Sequence, residues 1–162
     1  MPESPEELTE IATRHQVYLE GLKTHEVKKN QKFLKDIDRI VSAKLAGKDI
    51  TSYSRKRLDK LLKSVRADLR IVSANYSDMA AGESVDIAKY ERDFEIKSLN
   101  KVVAFDFVVP TSSQLRTAVF DNPLTTNGAN NGKMLKPFLR DMSSSSMEQV
   151  ALVIQSGYYQ GE

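Results

Sequence analysis

The sequence predicts a mainly α fold: a long antiparallel, coiled-coil-like helical hairpin over residues 1–101, an extended arm with a short helix and a loop over 102–132, and a C-terminal helix over 133–162. Three observations predict it. Between Pro5 and Pro110 there is no proline to interrupt a helix. Leu58, Leu62, Val65, Leu69, Val72, Tyr76 and Met79 are spaced 4, 3, 4, 3, 4, 3, an a/d seam over about three heptads. Gly47-Lys48-Asp49-Ile50-Thr51-Ser52 places a residue suited to positive φ ahead of side chains that cap a new helix, which reads as an αα-hairpin turn.

Each element has its own local reason. Ser4 can cap the first helix, Pro5 suits its first position, and Glu7 completes a capping box. Its apolar stripe runs through Leu8, Ile11, Tyr18 and Leu22, and again through Phe33, Leu34, Ile37, Ile40, Val41 and Leu45 to a stop at Gly47. Between these, residues 23–32 hold Val27 as their one clearly apolar side chain, so the stripe is interrupted there. In the second helix Gly82 marks either a break or a soft point, after which Ile87, Tyr90 and Phe94 resume the stripe. Residues 102–109 are β-branched and aromatic with partial alternation, which predicts a short strand or extended arm ending at Pro110; Val103, Phe105, Phe107 and Val109 are its candidate docking residues. Thr111-Ser112-Ser113 caps a helix to Phe120, and Asn127-Gly128-Ala129-Asn130-Asn131-Gly132 reads as a loop. A final helix from about Lys133 carries Pro137 early and presents Phe138, Leu139, Met142, Met147, Val150, Val153 and Ile154 on one face, interrupted at residues 143–146 by either a cap or a polar face.

Composition excludes several function classes. There is no cysteine, hence no disulfide framework, thiolate zinc site or cysteine nucleophile. The longest nearly unbroken apolar run, residues 102–110, is far short of the roughly 20 residues a membrane helix needs, and the opening Pro2-Glu3-Ser4-Pro5 does not resemble a basic, apolar leader. The expectation is a chain that neither spans a membrane nor follows the usual secretory route. His15 and His25 are ten residues apart, about 1000° and 15 Å along a helix, so they cannot share a metal within one chain, and each is expected at the surface or hairpin edge. Gly128-Ala129-Asn130-Asn131-Gly132-Lys133 is one residue too short between its glycines for a phosphate loop and is followed by Met134 instead of Ser or Thr. Asp86, Glu91, Asp93 and Glu95 spread around the helix axis and balance Lys89, Arg92 and Lys97 instead of forming a two-metal site. No catalytic set and no cofactor site follows from these residues.

The net charge of +2 conceals a division into −4 over residues 1–22, +9 over 23–70 and −3 over 71–162. Within the basic segment, Arg55, Lys56, Arg57, Lys60 and Lys63, continued by Arg66 and Arg70, are the candidate partner or phosphate contacts. Only Tyr53 is an aromatic neighbour, so base stacking is not expected, and any nucleic-acid contact falls on phosphates. The competing readings are a solvated face and a face that meets an acidic protein surface.

Four stretches carry a resemblance: Arg14-His15-Gln16-Val17-Tyr18-Leu19-Glu20-Gly21-Leu22-Lys23; the turn Leu45-Ala46-Gly47-Lys48-Asp49-Ile50-Thr51-Ser52-Tyr53-Ser54-Arg55; Ala88-Lys89-Tyr90-Glu91-Arg92-Asp93-Phe94-Glu95; and Ile154-Gln155-Ser156-Gly157-Tyr158-Tyr159-Gln160-Gly161-Glu162. Together they resemble the N-terminal helical region of tailed-bacteriophage head morphogenesis proteins, the Mu-type minor head proteins. That resemblance implies a structural virion protein without enzyme activity, made in the host cytoplasm and placed in the capsid interior or at the portal vertex. Its implied partners are portal or capsid proteins, further copies of itself and packaged DNA, and its implied role is head assembly or DNA ejection. Members of that family continue past the last of these stretches, which implies either a short relative or a part of a longer protein.

Overall fold

Caps, turns and helix periodicity build four α-helices in the computed structural model, which describes residues 5–102 and 108–160. They are α1 (Pro5–Leu45), α2 (Arg55–Val102), α3 (Ser112–Phe120) and α4 (Leu135–Tyr159), with single 3-10 turns at Ile50–Ser52 and Gly128–Asn130. Helices α1 and α2 pack against each other, and their contacts run antiparallel: as residue numbers rise along α1, those of the partners on α2 fall. The mainly α hairpin with a C-terminal helix is therefore the architecture found. Among the described residues there is no strand, and of the expected arm Val103, Phe105 and Phe107 lie outside them.

The chain forms two compact units, each built from two pieces of sequence: residues 1–29 with 80–135, and 30–79 with 136–162. In the first, aromatic rings stack between α1 and α2. His15 stacks on Phe94 with ring centroids 3.7 Å apart, Tyr18 stacks on Tyr90 at 4.0 Å, and Val85 is buried. Burial against this stack, with Tyr18 beside it, raises the Tyr90 phenol above its ordinary range. Lys29 bridges Glu26, at 3.0 Å, and Glu83, and the Glu83 hydrogen bond is the main reason its ammonium is held above its usual range. Thr111 and Gln114 form a reciprocal capping box at the start of α3. The Asn/Gly loop is closed by the Leu124 N–H donating to the Lys133 carbonyl at 2.8 Å and the Gly132 N–H donating to the Leu124 carbonyl at 2.9 Å.

In the second unit, Leu58, Leu61, Leu62, Val65 and Leu69 of α2 meet Ala151 and Ile154 of α4 over Tyr53. Gly47, at φ +65°, turns the chain out of α1. Asp49 then accepts from the Thr51 N–H at 3.1 Å and the Thr51 hydroxyl at 2.5 Å, and this hydroxyl bond in particular holds its carboxyl below the ordinary range. Further along, Phe33 is buried against Tyr76, with ring centroids 4.4 Å apart.

Several expectations are corrected. The a/d seam holds from Leu58 to Leu69, but beyond it Met79 is exposed, and Ser73 is buried in a hollow that it lines with Arg140 and Ser143 of α4. Helix α2 passes through Gly82 without a break. On α4, Val153 is 71% exposed and Ala151 takes the core position, so the buried face lies slightly to one side of the predicted one. His15 is not at the surface: its side chain is 10% exposed, with Nε2 3.1 Å from Glu91 Oε2. Its place in the stripe between Ile11 and Tyr18 was the sequence signal for this burial.

Candidate anion-binding and docking surfaces

The basic cluster divides once its side chains are placed. Arg57 lies over the buried Tyr53 ring, 4.1 Å from its centroid, and so belongs to the packing of the hairpin turn. Arg55 lies beside Tyr159, and its interaction with the Tyr159 hydroxyl, with Asp59 nearby, raises its guanidinium above its ordinary range. Lys56, Lys60 and Lys63 are exposed on α2. They continue into exposed Arg66 and Arg70, and among the described residues none of these five forms an ion pair. At 100° per residue, all five fall within about 120° of arc, clear of the Leu58–Leu69 core face, over about 21 Å of helix.

Arg70 joins three adjoining hollows between α2 and α4. One, of about 370 Å³, is lined by Lys63, Arg66, Arg70 and Gln155 together with Asp59. A second, of about 270 Å³, adds Ser144 and Glu148. The third, of about 330 Å³, brings Arg140 from α4 toward Arg70, with Ser73, Ser143 and Asp78 in its lining. Ser73 is 4% exposed, and its hydroxyl has no hydrogen-bond partner among the described residues.

The same unit carries an apolar groove. Leu34, Ile37, Val41 and Leu45 of α1 and Val150, Val153 and Ile154 of α4 enclose about 400 Å³ beside Ile50. Leu34 at 59% and Val153 at 71% exposure leave its rim open to solvent. Of the arm residues, Val109 is exposed, next to a fully exposed Val108. His25 lies on an exposed part of α1.

Other sequence features resolve into structural roles. The acidic stretch pairs locally, Asp86 with Lys89 at 3.0 Å and Asp93 with Arg92 at 2.7 Å, while Glu91 meets His15. Lys133 donates to Asn130 Oδ1 at 3.2 Å and closes its own loop. Among the described residues no group of three or more His, Asp or Glu side chains is arranged to hold a metal, and no helix is long and apolar enough to cross a membrane. Sequence reasoning did not anticipate the contribution of α4 to the basic face, because Arg140 carries no local motif. In comparison with known proteins, no family model matches the sequence, and neither a curated protein nor a solved structure gives a significant match.

Proposed function

We propose that this chain is a non-catalytic helical docking module of a tailed-bacteriophage head, acting in head assembly or DNA ejection from the capsid interior or portal vertex. The apolar groove of α1 and α4 carries the reading, because it leaves Leu34 and Val153 open in a unit whose core is already filled by Leu58–Leu69, Ala151 and Ile154. The resemblance of the four sequence stretches to minor head proteins supplies the partner, a portal subunit. Docking there is apolar and therefore resists salt.

Co-sedimentation of the full chain with purified portal rings tests this. The expected result is binding that persists at high salt and falls in Leu34→Asp and Val153→Asp. Absence of ring binding, or binding that both variants retain, refutes it.

A further inference from the structure

We infer that the face between α2 and α4 is a binding site for the phosphodiester backbone of duplex nucleic acid, with Arg70 at its centre. The inference stands apart from portal docking, since it uses other side chains of α4 and needs no protein partner.

Charge, spacing and an unpartnered donor point to this ligand together. Five unpaired cations, Lys56, Lys60, Lys63, Arg66 and Arg70, lie along about 21 Å of one helix. Over that length a duplex presents about six phosphates on one strand, at one per 3.4 Å of its axis, so the strip is long enough for its cations to meet several phosphates. Arg140 adds a second wall across the hollow that it shares with Arg70. Guanidinium groups suit such a site because their planar donors match phosphate oxygens two at a time. Asp59, Asp78 and Glu148 also line these hollows, against Lys63, Arg66, Arg70 and Arg140, and Lys56 and Lys60 extend the positive excess along α2 beyond them. The Ser73 hydroxyl is buried, lines the same hollow as Arg70 and Arg140, and has a donor left over for an anionic oxygen. No aromatic residue lines these hollows to take a stacked base, so the contact reads backbone and not sequence.

The site differs from the basic cluster read in the sequence. Arg55 and Arg57 are engaged by Tyr159 and Tyr53, so the binding set moves along α2 toward Arg66 and Arg70.

Fluorescence anisotropy of the full chain with labelled duplex DNA and duplex RNA, from about 50 to 200 mM salt, tests the inference. Five phosphate contacts give a slope of log affinity against log salt of about −4.5, roughly a 500-fold loss over that range. The R66Q/R70Q variant is expected to flatten the slope by about 1.8, whereas K89Q/K97Q leaves it unchanged. Circular dichroism of both variants checks that these substitutions preserve the helices. Binding of either duplex with these slopes supports the site, and the two arms identify which nucleic acid it prefers. Three results overturn it: no duplex binding, equal flattening by the control pair, or polyglutamate bound in preference to both duplexes, which assigns the face to an acidic protein.

Discussion

The register of α2 can be tested with two substitutions two residues apart. Leu69 is 1% exposed in the core and Ile71 is 64% exposed, so the same truncation to alanine has very different consequences. Leu69→Ala removes three buried carbon groups, about 2.4 kcal/mol of transfer free energy at about 0.8 kcal/mol each. The cavity left among Leu62, Val65, Ala151 and Ile154 adds to this, for a total of about 3–4 kcal/mol. Ile71→Ala removes three groups as well, but only about a third of their surface is buried, a loss of about 0.9 kcal/mol. Alanine's better helix propensity returns a few tenths, leaving about 0.5 kcal/mol. Urea unfolding followed by helix circular dichroism measures both, with the midpoint shift read at constant m-value. A loss at Ile71 equal to that at Leu69, or a Leu69 variant within about 0.5 kcal/mol of the parent, would show that the α2 face packed against α4 has been misassigned.

Other perturbations have opposite or conditional signs. Gly47→Ala forces a Cβ into a φ of +65° and should cost about 1–2 kcal/mol, whereas Gly82→Ala, in a helix interior with no atom near the new Cβ, should stabilise by about 0.5–1 kcal/mol; thermal unfolding of the pair distinguishes the signs. Because Asp49 titrates below its ordinary value in the folded chain, its contribution to stability is fully present above pH 3.8 and is lost as pH falls through the folded value. Thr51→Val removes the hydroxyl donor and should move the Asp49 titration upward, as followed by carboxyl NMR shifts; an unchanged titration would refute the assignment. Thr111→Ala removes the capping hydroxyl of α3 and should cost about 1 kcal/mol locally, seen as faster amide exchange at Gln114 and Leu115.

Helices with strong local signals were legible in the sequence. The hairpin turn followed from Gly47, the α3 start from Thr111, and the first half of the α2 seam from its heptad spacing, whereas the capping roles of Asp49 and Gln114 emerged only in the structure. Where burial is decided by a distant partner, the pattern was less informative. Ser73 is buried beside α4, and Ala151 rather than Val153 enters the core; both depend on where α4 lies against α2, which no spacing within either helix encodes. The basic face was visible as charge along one helix, but its boundaries were not. Removing Arg55 and Arg57 from it and adding Arg140 required Tyr159, Tyr53 and α4 to be placed in space.

Assembly of the second unit from two separated pieces of sequence sets a timetable for synthesis. Ile154 follows Leu69 by 85 residues, so at about 5–20 residues per second the α2 half of this core leaves the ribosome on the order of 4–17 s before the helix that seals it. During that interval α1 and α2 can pair as neighbours in sequence, while the Leu58–Leu69 surface reserved for α4 stays uncovered. The nascent chain thus carries an uncovered apolar surface until α4 has emerged, and closure by Ala151 and Ile154 is the step that ends its exposure to unintended partners.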